Sequence, residues 1–125
     1  MCSGRLIKKV LIIDDEINNH LLLSEILEDY PAGLEIFTAE FGDLGMELIN
    51  KEKPDVVFVD RMLPVLDGEE ICRRVKADPE LRDRVKLIMI SALKNTAGER
   101  ECLADVYIQK PYRFSEIILI LDQML

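Results

Sequence analysis

Five short apolar runs, separated by segments of helical spacing, constrain the fold of this chain more than any other feature. The runs occupy residues 10–13, 34–39, 56–59, 85–90 and 106–108; the first, third and fifth are continuous, whereas Glu35 and Thr38 interrupt the second and Lys86 interrupts the fourth. Continuous apolar runs of this length are typical of strands buried on both faces, as in parallel sheets. Because parallel neighbours need crossover connections, the alternation predicts an α/β fold with a doubly wound five-stranded parallel sheet.

Length and composition restrict the class of protein. We expect one domain over residues 1–125, because 125 residues correspond to a single domain. The 16 basic and 24 acidic side chains give a formal net charge of −8, which argues against direct nucleic-acid binding. No run of about 18 apolar residues is present, so no membrane contact is expected. Three cysteines without a C-x-x-C pair favour a reducing, cytoplasmic location.

Polar side chains that could bind or react with a ligand lie where the predicted strands end. Asp14 and Asp15 end the first strand, Asp60 the third, Ser91 the fourth and Lys110 the fifth. Each of these residues has an ordinary role as a cap or a solvated side chain when it is taken alone. In an open α/β sheet, however, ligands bind beyond the carboxyl ends of the strands. The joint placement therefore favours one shared site, and a strand order of 2-1-3-4-5 brings the three carboxylates together.

The chemistry of these residues points to phosphoryl transfer. Three clustered carboxylates repel one another and need a cation, and their hard oxygen atoms favour Mg²⁺. Lys110 supplies a positive charge and Ser91 a neutral donor for phosphoryl oxygens. Such a pocket suits a phosphoryl group that is attacked in line by a carboxylate.

Four segments of the chain resemble the receiver domains of two-component response regulators, which have the flavodoxin/CheY-like fold. They are VLIIDDE at 10–16, VVFVDRMLPVLDG at 56–68, IMISA at 88–92 and DVYIQKP at 105–111. The second segment is the most specific, because the aspartate, the proline four residues later and the glycine eight residues later all coincide. The resemblance covers nearly the whole chain and implies the strand order 2-1-3-4-5.

The resemblance also implies a role for each acidic residue. Asp60 corresponds to the phosphoacceptor, which takes a phosphoryl group from a phosphohistidine of a partner kinase. Asp15 and Asp60 correspond to direct Mg²⁺ ligands, Asp14 to a ligand that acts through water, and the Met62 backbone carbonyl completes the protein ligands.

The remaining implied roles concern the switch. Ser91 corresponds to the hydroxyl that binds a phosphoryl oxygen, Lys110 to the lysine that pairs with the phosphoryl group, and Tyr107 to the aromatic residue whose rotation follows the hydroxyl. The implied partners are a histidine kinase or phosphotransfer protein and a downstream protein target or output domain. The resemblance therefore implies a switch and not an enzyme with a diffusing substrate. The only reactions expected of the domain are Mg²⁺-dependent self-phosphorylation from phosphodonors and self-dephosphorylation.

One segment departs from the family pattern in its length, and the last helix has an unusual apolar sequence. The segment 93–103 is about three residues shorter than is common in the family, which predicts a shortened fourth helix. In the last helix, five consecutive apolar residues at 117–121 encircle the helix completely. At least one of them must face away from the sheet, so we expect a partner surface there, including a possible homodimer.

Two other functions remain alternatives. The first is a phosphorylation-independent interaction module that retains the pocket as a scaffold, which five chemically matched groups make less favourable. The second is a phosphatase with an aspartyl nucleophile, but that class has a D-x-D arrangement where this chain has Asp14-Asp15-Glu16. His20, in the first helix, is interpreted as a solvated surface residue. The sequence leaves open whether the chain is a complete regulator or a part of a longer protein.

Overall fold

The computed structural model describes residues 8–31, 33–91 and 104–125. It contains five strands, which are β1 (Lys8–Ile13), β2 (Leu34–Ala39), β3 (Val56–Asp60), β4 (Lys86–Ser91) and β5 (Val106–Gln109). Four helices lie within the described ranges, namely α1 (Ile17–Glu28), α2 (Gly42–Glu52), α3 (Gly68–Ala77) and α4 (Phe114–Met124). The predicted shortened fourth helix falls on residues outside these ranges. None of the described helices is both long and apolar enough to cross a bilayer.

The strands form one sheet in the order β2-β1-β3-β4-β5, and every neighbouring pair is parallel. The prediction of a doubly wound sheet with order 2-1-3-4-5 is therefore confirmed. The order reverses between β1 and β3, which are neighbours although β2 lies between them in the chain. The carboxyl ends of these two strands consequently meet at the edge of the sheet where ligands bind in this class of fold.

Two apolar layers cover the sheet, one on each face. Because side chains alternate along a strand, Val57 and Val59 of β3 pack with residues of α2 and α3, whereas Val56 and Phe58 pack with residues of α1 and α4. All five residues of β3 are buried. This double burial is the physical reason that the central strands are continuous apolar runs rather than alternating ones.

The helix α3 begins directly after the loop that follows Asp60. Asp67 is its N-cap, and the Asp67 side chain accepts a hydrogen bond of 2.9 Å from the Glu70 amide. This contact satisfies a backbone donor that the first helical turn leaves without a partner. The spacing of Asp67 and Glu70 predicts a capping box, and this hydrogen bond confirms the half of it in which the Asp67 side chain is the acceptor. The cap fixes where the loop after Asp60 ends.

Gly68, the first residue of α3, lets this helix approach the end of β3. A Cβ atom at this position would lie 2.5 Å from the Asp60 carbonyl oxygen and 2.9 Å from the Arg61 Cα atom. Both are backbone atoms, so they cannot move aside as a flexible side chain would. The Gly68 amide also donates a hydrogen bond of 3.0 Å to the Arg61 carbonyl oxygen. The absence of a side chain at Gly68 therefore sets the distance between α3 and the residue Asp60.

We predict that Gly68→Ala lowers the free energy of unfolding by about 2–3 kcal/mol, because the methyl group overpacks a site bounded by backbone. Chemical denaturation measures this loss. Gly33→Ala is the comparison, because nothing lies within 4 Å of a Cβ atom there and only its φ of +80° opposes the substitution. Its loss should be closer to about 1 kcal/mol. Equal losses in the two variants would show that the close approach at Gly68 is not the cause.

Candidate functional site

Three carboxylates converge at the carboxyl ends of β1 and β3. Asp14 and Asp15 directly follow β1, and Asp60 is the last residue of β3. One oxygen atom from each side chain can be chosen so that all three lie within 4.8 Å of one another. Asp14 and Asp60 are buried and Asp15 is exposed. The structure thus brings together the three acidic residues that the strand order was predicted to unite.

Asp14 is held in an environment that opposes its negative charge. Burial is the main cause that raises the pKa of the Asp14 carboxyl, and the neighbouring charge of Asp60 raises it further. Three contacts lower this pKa: a hydrogen bond of 2.9 Å from the Glu16 amide to Oδ1, the more distant charge of Lys110, and a side-chain hydrogen bond with Asn19. The net direction is upward, so the folded protein binds a proton at Asp14 more readily than an unfolded chain does.

Asp60 has partners on both of its carboxylate oxygens. The Met62 amide donates to Oδ1 at 3.0 Å, and Lys110 Nζ donates to Oδ2 at 3.3 Å. The Lys110 ammonium also lies 3.9 Å from Asp14 Oδ2. One cation therefore faces two carboxylates, which leaves the three-acid cluster with an excess of negative charge that Lys110 alone does not balance.

Lys110 reaches this position because it directly follows β5, next to β4. Its backbone amide donates a hydrogen bond of 2.8 Å to the Ser91 carbonyl oxygen, and the Lys110–Pro111 peptide bond is cis. Ser91 is the last residue of β4 and is fully buried. The fourth and fifth strand ends are thus joined at the backbone, beside the carboxylates of the first and third.

Tyr107 is hydrogen-bonded to Arg61 rather than to a carboxylate of the acidic cluster. Its hydroxyl accepts a hydrogen bond of 3.0 Å from Arg61 Nη1, and Arg61 Nη2 lies 2.8 Å from a carboxylate oxygen of Glu69 in α3. Arg61 is not among the site residues that the sequence predicts. The signal that could have found it is its position, one residue after Asp60 and on the side of the sheet that Tyr107 shares.

His20 is buried, so the prediction that it is a solvated surface residue is wrong. It is only 5% exposed, and its Nε2 atom is hydrogen-bonded to the backbone carbonyl oxygen of Asp14. By contrast, Ile17 and Leu21 on the same helix are each 58% exposed. The helix α1 is apolar on several sides, so spacing alone did not identify its buried face. The polar backbone at the end of β1 gives His20 a hydrogen-bonding partner inside the fold.

The donor set fits a hard divalent cation. Three carboxylate oxygens lie close enough to share one ion, and oxygen ligands are those that Mg²⁺ prefers. The repulsion between Asp14 and Asp60 is a cost that such an ion would offset. The exposure of Asp15 leaves one side of the cluster open to water, which suits an ion that retains part of its hydration shell.

We predict that Asp14→Asn raises the midpoint of thermal unfolding at pH 7 in metal-free buffer. A carboxyl whose pKa is raised by folding stabilises the folded state below its unfolded value of 3.8, and this stabilisation is lost as the pH rises through the folded value. At pH 7 the charged Asp14 therefore destabilises the fold. The asparagine removes the charge and keeps the oxygen that accepts from Glu16.

The control for this prediction is Asp15→Asn, because Asp15 is exposed and its change should be smaller. Excess Mg²⁺ should reduce the advantage of Asp14→Asn, since the ion would stabilise the wild type. A lower unfolding midpoint for Asp14→Asn without metal would contradict this account of the site.

Comparisons with known proteins agree with this geometry. The family model described as the response regulator receiver domain matches residues 10–122. The chain is 30% identical over 113 residues to the sporulation initiation phosphotransferase F of Bacillus subtilis, a match that covers 88% of this chain and 87% of that protein. It is 35% identical to the probable transcriptional regulator ycf27 of Guillardia theta, where the match covers 88% of this chain but only 42% of the relative. The chain therefore spans less than half the length of that relative.

A similar fold is found in the receiver domain of a signal transduction histidine kinase from Syntrophus aciditrophicus. The two share a TM-score of 0.84 and 26% identity, and the match covers 94% of this chain and 89% of that one. The family match extends over most of the chain, and the strand order and the acidic cluster are those expected from it. This chain belongs to the response regulator receiver domain family, whose members are phosphoacceptor switches in two-component signalling.

Proposed function

We propose that Asp60 accepts a phosphoryl group from a histidine kinase or phosphotransfer protein, and that the modified domain alters its binding to a downstream protein. The observation that carries this proposal is the position of Asp60. It ends β3 within 4.8 Å of two other carboxylates, and its Oδ2 atom lies 3.3 Å from Lys110 Nζ. A nucleophilic carboxylate, a cation-binding cluster and a fixed ammonium group are the parts that phosphoryl transfer to an acid requires.

In the proposed reaction a carboxylate oxygen of Asp60 forms a bond to phosphorus while the bond from phosphorus to the donor nitrogen breaks. The electron pair of the broken bond stays on the donor imidazole. Lys110 lies on the Oδ2 side of Asp60, where its charge would face a phosphoryl oxygen. Asp14, Asp15, Asp60 and the Met62 carbonyl would hold Mg²⁺, which when bound would neutralise charge on the phosphoryl oxygens. The Ser91 hydroxyl would bind another phosphoryl oxygen after transfer, and Tyr107 would respond to that contact.

The contact surface for the donor protein is proposed on α1. This helix begins two residues after Asp15, and its Ile17, Leu21 and Leu22 side chains are 58%, 58% and 51% exposed. Leu22 also lines a groove with Lys110 and Tyr112. Exposed apolar residues that are continuous with a site usually mark a protein contact, and a donor on this surface would lie beside Asp60.

We propose that residues 1–125 act as one receiver domain in the cytoplasm, with control by phosphorylation rather than turnover of a diffusing substrate. The described helices offer no membrane span, and the family match extends over residues 10–122. Self-phosphorylation from small donors and self-dephosphorylation are the only reactions proposed for the domain itself.

We predict that acetyl phosphate adds one phosphoryl group to the wild type when Mg²⁺ is present. Chelation of the metal should reduce uptake to background, because three uncompensated carboxylates repel the incoming anion. Asp60→Asn should also remain unmodified, since the amide is not a nucleophile of this kind. Intact-mass spectrometry over a time course measures all three conditions.

The matched control is Asp83→Asn, which removes an exposed acid outside the site and should leave the rate unchanged. Uptake by Asp60→Asn at the wild-type rate would remove Asp60 from its proposed role. No uptake by the wild type from either acetyl phosphate or a phosphohistidine donor would favour the interaction module that does not depend on phosphorylation.

A second proposed surface is α4, where two copies of the chain would pair. Leu119 is 60% exposed and Phe114 54% exposed, and both line a groove that also contains Arg113 and Asp122. Arg113 precedes the first turn of α4 and Asp122 lies in its last turn. In an antiparallel pair related by a twofold axis, Arg113 of each copy would face Asp122 of the other. The grooves of two copies would thus match each other both in charge and in apolar surface.

We predict that Leu119→Lys weakens self-association, measured by sedimentation velocity over a range of concentrations with and without the phosphoryl analogue beryllium trifluoride. Leu119 is the suitable position because its side chain is exposed, whereas Ile118 packs partly against the core. Arg113→Asp should weaken pairing as well, and Arg113→Asp combined with Asp122→Arg should restore it. A wild type that stays monomeric at every concentration, with and without the analogue, would contradict the proposal.

A further inference from the structure

Arg61 is held in place by its backbone on both sides. Its amide donates a hydrogen bond of 2.9 Å to the Ile90 carbonyl oxygen in β4, and its own carbonyl oxygen accepts one of 3.0 Å from the Gly68 amide at the start of α3. The residue lies between Asp60 and Met62, which are themselves joined by the 3.0 Å hydrogen bond from the Met62 amide to Asp60 Oδ1. Arg61 is therefore anchored to β4 and to α3 directly beside the acceptor carboxylate and Met62.

The Arg61 side chain connects this loop to two other elements. Nη1 donates to the Tyr107 hydroxyl in β5 at 3.0 Å, and Nη2 lies 2.8 Å from Oε2 of Glu69 in the first turn of α3. The Arg61 side chain is only 22% exposed, compared with 45% for Glu69. A hydrogen bond from a charged donor in such a setting is stronger than a neutral one on the surface.

The Arg61–Tyr107 hydrogen bond spans the strand that carries Ser91. The strand β4 lies between β3 and β5, and in its register Val59, Met89 and Tyr107 form one row across the sheet. Ser91 is two residues beyond Met89 in β4 and so belongs to the same face as Tyr107, and the Arg61 guanidinium reaches that face through its hydrogen bond to Tyr107. The guanidinium thus joins the residue after the acceptor to the fifth strand across the end of the fourth.

We propose that Arg61 is a positioning residue that couples the acceptor loop to Tyr107, and that its hydrogen bond to Tyr107 opposes occupation of Asp60. This role of Arg61 rests on the proposed function of Asp60. The bond is formed with Asp60 unmodified and with Met62 bonded to Asp60 Oδ1. In this proposal, a phosphoryl group on Asp60 alters that contact and shifts the Arg61 side chain, which costs the Arg61–Tyr107 bond. By reciprocity, loss of the bond must favour occupation of Asp60.

The test uses the full chain, Mg²⁺ and beryllium trifluoride as the probe. Arg61→Met keeps the apolar stem and removes every side-chain donor, and it should raise the affinity for the probe about three- to tenfold, the range expected for the loss of one ordinary intramolecular hydrogen bond. Tyr107→Phe removes the acceptor and should raise the affinity similarly. The double variant should gain no more than either single variant, because both remove the same bond.

The matched control is Arg74→Met in α3. Arg74 pairs with Glu70, whereas the Tyr107 hydroxyl is bonded to Arg61, so this change should leave the affinity for the probe unaltered. A second readout is the ¹⁹F spectrum of protein labelled with fluorotyrosine, in which the Tyr107 signal is assigned by its absence in Tyr107→Phe. Arg61→Met should shift or broaden that signal in the free protein, and Arg74→Met should not.

Unchanged or lower affinity in Arg61→Met, or gains that add in the double variant, would overturn the proposal. A wild type that does not bind the probe at all would instead contradict the proposed function of Asp60. The ¹⁹F spectrum of the free protein would then decide on Arg61 alone, and an unaltered Tyr107 signal in Arg61→Met would refute its positioning role.

Discussion

The adjacency of β1 and β3 is the constraint on which the rest of this structure depends. The two strands are paired in register from Val10 with Val56 to Ile13 with Val59, so they end at the same level. Asp14 follows β1 and Asp60 ends β3 at that level, so their carboxylates lie close together. The apolar residues that bury these strands on both faces therefore also create the repulsion at their ends. The fold and the site are consequences of one arrangement.

This repulsion makes the site incomplete without a cation. Burial and the charge of Asp60 raise the pKa of Asp14, and Lys110, which contacts both acids, offsets only part of the cost. A group that binds here gains both from its own contacts and from relief of that cost. The cluster should thus bind a cation readily. It should accept a negatively charged phosphoryl group only when a cation is also bound. The electrostatics of the site thus favour the Mg²⁺-dependent transfer that is proposed for Asp60.

The sequence predicted the central elements well, because their signals are local and strong. Runs buried on both faces define β1, β3 and β4 whatever surrounds them, and their ends place Asp14, Asp60 and Ser91. What could not be predicted depends on contacts between distant elements. Nothing near His20 in the sequence indicates that the Asp14 carbonyl oxygen is its partner, so the residue was wrongly expected to be solvated. The Arg61–Tyr107 bond joins residues 46 positions apart, and Val65 adopts a φ of +71° that is uncommon for a β-branched residue.

The central claim is that Asp60 is the acceptor of a site built from the ends of neighbouring strands. A crystal structure of the protein with Mg²⁺ and beryllium trifluoride tests it most directly. The account predicts beryllium bonded to an Asp60 carboxylate oxygen, with a fluoride near Lys110 Nζ. It further predicts Mg²⁺ held by Asp15, Asp60 and the Met62 carbonyl oxygen. Beryllium bonded to Asp14 or Asp15, or a metal bound away from these three carboxylates, would contradict it.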